Sequence, residues 1–294
     1  VILILPGENA TITTLPDYES ASSGQPWANS KPSQVYIADG VTGIGNYAFA
    51  GNMNLQQVVF EDASSLTSVG ERAFSGDNLA QFTNEGSIDG VLDLSNVTKM
   101  GEYAFHYCSR LTSVTLGGNI TAVEGGVETA KKIPQYAFAA TGLTGITIPE
   151  GTEHIGDNAF ADCSLNEMSE LVLPEGLQTV GSHAFYQNLA SPNTTLQSLT
   201  IPSTVKTIGD SAFYNYQELA TVTINASAKD GFIKPGASAF GNAAHNAYST
   251  TGDITDAVGE VYEGVTMGAD FVTPDAETTE LFVNGDNCYL GDVS

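Results

Sequence analysis

The side chains that could do chemistry in this 294-residue chain are few, and they do not gather. Its four histidines are His106, His154, His183 and His245. A zinc site needs His, Cys or acidic ligands converging at short, repeated spacings, and no second ligand recurs beside His154 or His183. All four read as surface histidines, because a catalytic or metal role requires convergent partners. The chain has no Gly-x-Ser-x-Gly elbow, no HExxH, no phosphate-binding loop and no dinucleotide fingerprint. Asp253 with Asp256, and later Asp286 with Asn287, do not form the alternating Asp/Asn loop closed by Glu that an EF-hand requires. The expectation is a protein that is not an enzyme and uses no cofactor and no metal.

Charge narrows the partners. Lys and Arg number 9 against 34 Asp and Glu, a formal charge of −25. Nucleic acid is a poor partner for such a surface, since phosphates are neutralised by Lys and Arg; anionic lipid is excluded on the same electrostatics. Acidity of this size serves solubility, and its sharper use would be attraction of a cationic or calcium-bridged partner. No stretch reaches the roughly 18 apolar residues that span a membrane, so no membrane insertion is predicted. The chain opens at Val1, and Val1–Leu5 is too short for a signal-peptide core. It reads as an excised segment whose export signal or anchor lies elsewhere.

What must position any functional surface is a repeat. Alanine precedes phenylalanine eight times, at Ala48-Phe49, Ala73-Phe74, Ala104-Phe105, Ala137-Phe138, Ala159-Phe160, Ala184-Phe185, Ala212-Phe213 and Ala239-Phe240. Successive Phe residues are 25, 31, 33, 22, 25, 28 and 27 apart. A supersecondary unit at such a period marks a solenoid, in which each coil buries its apolar edge against its neighbours. In the unit from Leu196 to Phe213, Leu199 and Ile201 alternate with Ser198 and Thr200, the pattern of a strand with one buried face. Pro202 should end that strand, because it has no N–H for the ladder. Val205 and Ile208 return to the core, Gly209 allows a tight turn, and Asp210 is placed to N-cap a short helical turn carrying Ala212-Phe213. Asn46, Asp157 and Ser182 take the same place in other units. Glu124–Lys132 and Asn78–Asp89 read as inserted surface loops. Cys108 and Cys163 lie in non-adjacent units, about 9–10 Å apart at strand spacing. A disulfide needs Cα atoms within about 7 Å. Both are therefore predicted to be buried free thiols, with Cys288 a lone cysteine of the tail.

The segments Ile155-Gly-Asp-Asn-Ala-Phe-Ala-Asp-Cys163 and Met100-Gly-Glu-Tyr-Ala-Phe-His-Tyr-Cys108, with Leu-x-x-Val-x-Ile-Pro strands, resemble the BspA-type leucine-rich repeat of bacterial surface and secreted proteins. The resemblance spans roughly Ser33 to Ala243. It implies a right-handed leucine-rich-repeat superhelix, mainly β, with a parallel β-sheet on one face and short strands or helical turns on the other. It also implies a secreted or cell-surface location and a role in adhesion. The chain departs from the pattern at the cysteine, which only two of the eight units keep.

Three regions are expected: an N-terminal cap over 1–32, a solenoid of about eight units over 33–245, and a degenerate cap or acidic linker over 246–294. The last holds ten acidic residues from Asn246 onward, no Lys or Arg, and no clear next strand after Phe240. A cap over the first coil keeps a repeat array soluble. The outward residues of the main strands then form the candidate recognition face. Rung by rung they are Gln34 and Tyr36; Gln57 and Val59; Val91 and Asp93; Ser113 and Thr115; Gly145 and Thr147; Glu170 and Val172; Ser198 and Thr200; Thr221 and Thr223. At about 4.8 Å per strand these would line a face nearly 40 Å long. The leading expectation is a monomeric, non-enzymatic module that binds an extracellular protein or glycan there, the usual use of a solenoid surface. Two alternatives stand beside it: a spacer presenting a further C-terminal domain, and a carbohydrate-binding module using Tyr18, Trp27, Tyr214 and Tyr216.

Overall fold

The computed structural model describes residues 2–4, 13–21, 25, 32–76, 81–84, 92–219, 221–224, 234–236, 238–240, 265–267, 279–284 and 287–292. It divides into two compact units, Val1–Pro149 and Glu150–Ser294. Both are built from the same coil: a main strand, a corner, a two- to four-residue second strand, and a turn carrying Ala-Phe. Each unit is a mainly β stack of such coils.

In the first unit the strands Ile2–Ile4, Gln34–Ile37, Gln57–Phe60 and Gln81–Asn84 pair in parallel, with Val35 opposite Val58 and Ile37 opposite Phe60. Leu92–Leu94 pairs with Val114–Leu116 as a separate sheet. Behind them Gly43–Ile44, Ser68–Val69, Lys99–Gly101 and Thr121–Glu124 form a second parallel sheet. The period-two alternation explains the main strands: Val35, Ile37, Val58 and Phe60 are buried while Gln34, Tyr36, Gln57 and Val59 are only partly so. In the second unit Glu170–Val172, Ser198–Ile201, Thr221–Ile224 and Val265–Met267 make the main sheet. His154–Ile155, Thr179–Val180, Thr207–Ile208 and Lys234–Pro235 make the other.

Within each unit the phenylalanines stack as a column. Phe49, Phe74, Phe105 and Phe138 stack at 5.3, 5.4 and 5.4 Å between ring centroids. Phe160, Phe185, Phe213 and Phe240 stack at 5.3, 5.1 and 5.7 Å. Rings from Phe49 to Phe213 are at most 1% exposed, and burying each contributes about 1.5–3 kcal/mol. The backbone is tied in step with them. Phe49 N–H donates to Ala73 O, Phe74 to Ala104, Phe105 to Ala137, Phe160 to Ala184, Phe185 to Ala212 and Phe213 to Ala239, all at 2.7–2.9 Å.

Four local expectations change. The Ala-Phe segment is a turn rather than a helix; the described residues hold only one helical segment, the 3-10 turn Ala63–Ser65. The residue before each Ala-Phe is left-handed, with φ of 56, 51, 59, 54, 56, 57, 53 and 54° from Tyr47 to Ser238. That conformation breaks any helix at once. The presumed N-caps therefore serve the next coil: Asn46 Oδ1 accepts from Glu71 N at 2.7 Å and Asp157 Oδ1 from Ser182 N at 2.8 Å. The preceding glycine is needed for proximity rather than for turning. A Cβ at Gly70, Gly101 or Gly209 would lie 2.5, 2.2 or 2.3 Å from a backbone nitrogen of the coil below. Third, Asn78–Asp89 is not wholly a loop, since Gln81–Asn84 is a sheet strand, and Glu124–Lys132 is organised as a hairpin in which Val127–Thr129 folds back on Thr121–Glu124 about Gly125-Gly126. Fourth, a strand does follow Phe240: Val265–Met267 extends the second unit's main sheet, and Thr279–Asn284 pairs antiparallel with Asn287–Asp292.

At the N-terminus, Thr13–Tyr18 runs along the first coil: Thr42 N donates to Thr13 O, Leu15 N to Gly43 O and Tyr18 N to Asn46 O. Asp17 Oδ1 accepts from Asn46 N, one coil before Asn46 does the same for Glu71. Cys108 and Cys163 are buried free thiols.

Candidate functional site

Two surfaces are built by this coil, one by the outward side of the main strands and one by the Ala-Phe turns. On the first, Glu170, Val172, Thr115 and Thr147 are exposed, and Tyr36, Gln57, Val59, Asp93, Ser113, Ser198 and Thr200 are partly exposed. In the second unit the register places Glu170, Ser198 and Thr221 in one line and Val172, Thr200, Thr223 and Thr266 in the next. Val172, 54% exposed, is an apolar side chain offered to solvent amid hydroxyls. In the first unit Gln34, Gln57 and Gln81 align, with Gln34 Nε2 donating to Gln57 Oε1 at 2.6 Å.

The face is not one uninterrupted sheet, as the spacing had suggested. In the first unit Gln57–Phe60 and Gln81–Asn84 belong to one sheet, Leu92–Leu94 and Val114–Leu116 to another. Gly145–Ile148 forms no strand, although Ile146 and Ile148 are buried and Thr147 points out as the alternation requires. The break between these two sheets falls within the 31-residue interval from Phe74 to Phe105. Asp93 is also turned to a local task, its Oδ1 accepting from Ser95 N at 2.9 Å. Val91 and the side chains of Thr221 and Thr223 lie outside the described residues.

The second surface was missed by sequence reasoning. In the first unit the left-handed residues before Ala-Phe are Tyr47, Arg72, Tyr103 and Tyr136. Being at the same place in successive coils, they form a row. The Arg72 guanidinium lies 3.8 Å from the centre of the Tyr103 ring, and Tyr103 stacks on Tyr136 at 4.5 Å and 7°. His106 meets Tyr103 and Tyr136 edge-on at 5.3 and 5.9 Å, and its ring lies 4.1 Å from Tyr107. Burial, then the nearby Arg72 charge, pulls the His106 pKa down to about 4, so the imidazole is neutral near pH 7. Tyr47 donates to Glu71 Oε1 at 2.7 Å, and that hydrogen bond is the main cause raising its phenol pKa. Glu71 also pairs with Arg72 Nε at 3.5 Å. Glu102 accepts from Gln135 Nε2 and, at 3.3 Å, from Gly125 N at the hairpin tip. Reading the residue at Ala-minus-one down the repeat, instead of the Ala-Phe pair itself, would have revealed this row.

The other candidates disperse. His154 Nδ1 shares a hydrogen bond with Thr179 Oγ1 at 2.9 Å, and His183 lies 5.2 Å from Tyr186. His245 lies outside the described residues. Among the described residues no group of three or more His, Cys, Asp and Glu is placed to hold a metal ion, and no helix is long and apolar enough to cross a membrane. The aromatic platform is corrected: Tyr216 is 1% exposed and its phenol pKa is pushed up by burial, so it offers no surface. Tyr214 stacks on Tyr186 at 5.4 Å, Tyr18 is partly exposed, and Trp27 lies outside the described residues.

Comparison with known proteins places this architecture. The BspA type leucine rich repeat region matches in six copies over residues 25–127 and 131–264. No curated protein matches the sequence. Among solved structures the chain is similar to a leucine rich cell surface protein from Faecalibacterium prausnitzii, at 24% identity and a TM-score of 0.44. That similarity covers 79% of this chain and 62% of that protein, so the chain spans about three fifths of the neighbour's length. A leucine-rich repeat protein from Eubacterium ventriosum is similar at 18% identity and TM-score 0.26, over 82% of this chain and 91% of that one. The pneumococcal vaccine antigen PcpA is similar at 18% identity and TM-score 0.34, over 80% and 69%. The family match covers most of the sequence, and the chain belongs to the BspA-type leucine-rich repeat proteins.

Proposed function

We propose that this chain is a non-enzymatic module of a bacterial surface or secreted protein, and that it binds an extracellular macromolecule through the outward side of its main strands. The observation that carries this reading is the pair of in-register lines Glu170 with Ser198 and Val172 with Thr200, in which an apolar and an acidic side chain face solvent beside hydroxyls while Leu171 and Leu199 between them are buried. A broad shallow face of this kind suits a protein partner better than a small molecule, which needs a concave site. The description of one structural neighbour as a cell surface protein supports the location.

The test is capture of extracellular proteins and glycans by the whole chain, followed by Glu170→Arg and Thr200→Arg. Both positions are solvent-facing, so folding should persist; binding should fall roughly tenfold or more if they lie at a central contact. Unchanged binding to every captured ligand would place recognition elsewhere.

A further inference from the structure

The row beside the Ala-Phe turns makes a second surface, independent of the sheet face. A tyrosine held at positive φ is costly, because its Cβ crowds the following carbonyl. Tyr103 at 59°, Tyr107 at 62° and Tyr136 at 54° all pay this cost within two coils. The equivalent places elsewhere need no ring: Asn158, Ser211 and Ser238 precede Ala-Phe in the second unit, and Gly51 and Gly76 stand where Tyr107 stands in the two preceding coils. The backbone therefore does not require aromatic residues here, and strain of this sort collects where a surface is used.

The chemistry of the patch is specific. Tyr107 is 56% exposed, and its ring meets a neutral His106. Glu102, next to Tyr103, accepts only from the neutral donors Gln135 and Gly125 and pairs with no Lys or Arg among the described residues. Both faces of Tyr103 are taken, by Arg72 and Tyr136, but an exposed ring such as Tyr107 in a patch with an unneutralised carboxylate is what a guanidinium or ammonium seeks. The protein already contains the arrangement once, in Arg72 laid over the Tyr103 ring with Glu71 at its side. The overall charge of −25 draws basic segments to the surface.

We propose that the patch formed by Glu102, Tyr103, His106, Tyr107 and Tyr136 binds an arginine side chain from a basic segment of a partner protein. The guanidinium stacks against the exposed Tyr107 ring, in the manner of Arg72 over Tyr103, and is neutralised by Glu102. Arginine is favoured over lysine because its planar head can stack and donate at the same time.

The experiment titrates the whole chain with a short peptide of alternating arginine and glycine, and with its lysine counterpart, at about 150 mM salt, where diffuse attraction is largely screened. The arginine peptide should bind, the lysine peptide more weakly. Tyr107→Ala and Glu102→Gln should each weaken the arginine peptide roughly fivefold. Glu175→Gln, an equal change of net charge at an exposed position of the other unit, should leave binding unaltered. Far-ultraviolet circular dichroism and the unfolding midpoint confirm that each variant folds. Equal weakening by Glu102→Gln and Glu175→Gln would reduce the effect to net charge and overturn the proposal, as would the absence of binding. A neutral glycan whose binding depends on Tyr107 but not on Glu102 would assign the patch to sugar and overturn it too. Failure here leaves Glu170 and Thr200 as the test of the sheet face, and failure there leaves this patch standing.

Discussion

The two units use one backbone and dress its edge differently. Before Ala-Phe the first unit carries Tyr47, Arg72, Tyr103 and Tyr136; the second carries Asn158, His183, Ser211 and Ser238. Every one of these residues is left-handed, with φ between 51 and 59°. The conformation is thus imposed by the coil, through N–H bonds such as Tyr47 to Glu71 O and Asn158 to Ser182 O. What varies is the cargo. Asn tolerates the left-handed region because its short polar side chain bonds locally, whereas tyrosine gains nothing there except what its ring touches. The difference separates scaffold from surface: features shared by both units hold the fold, and features confined to one are candidates for recognition.

Shared features should fail alike. Phe105→Ala and Phe185→Ala remove the middle of each aromatic column and should each cost about 3–5 kcal/mol in chemical unfolding. A large loss in one unit and a small one in the other would mean that the columns are not equivalent. Gly101→Ala and Gly209→Ala force a Cβ within 2.2 and 2.3 Å of a backbone nitrogen below, and each should cost about 1–3 kcal/mol. Tolerance of alanine at either place would show that the coils can spread.

Confined features should separate the units. Tyr136→Asn gives the first unit the residue type of Asn158. It loses a stacked pair worth about 0.5–1.5 kcal/mol and relieves left-handed strain of similar size, so the net change should stay below about 1 kcal/mol. A much larger loss would make the ring part of the scaffold. The finest distinction is in pH. His106 titrates near 6.5 when unfolded and near 4 when folded. The unfolded chain takes up the proton first as pH falls, so the contribution is fully present above about 6.5 and is lost down to about 4. His106→Gln should flatten the stability-against-pH curve in that window relative to the parent chain. Coincident curves would show that the imidazole is freely solvated.

The scaffold was legible in the sequence because its signals are periodic. Leu199 and Ile201, the eight Phe residues and the corner at Pro202 are spaced by the geometry they adopt, and the buried fate of Cys108 and Cys163 followed from their place in the repeat. What sequence reasoning mistook was anything decided by the neighbouring coil. Asp157 looks like a helix N-cap because Asp before a short apolar run is one, and nothing within its own unit reveals that Ser182 N is its partner. Gly101 looks like a turn residue, but its need is the approach of Glu71. The strand Gln81–Asn84 was hidden in a polar stretch. The tyrosine row escaped notice because its members are not all of one residue type: Arg72 stands among Tyr47, Tyr103 and Tyr136.

The tie between the Gly-to-Phe turn and the coil beneath it also says where this protein can change length. From Gly45 to Phe49, Gly70 to Phe74, Gly101 to Phe105, Gly181 to Phe185 and Gly209 to Phe213 the interval is the same, while the distance from one Phe to the next ranges from 22 to 33 residues. An extra residue inside that interval would throw every later donor out of step with its acceptor. Insertions therefore have to be housed on the remaining arc, as the Gly125-Gly126 hairpin is, and new loops grafted there should be accepted where the same loops placed between glycine and phenylalanine would not.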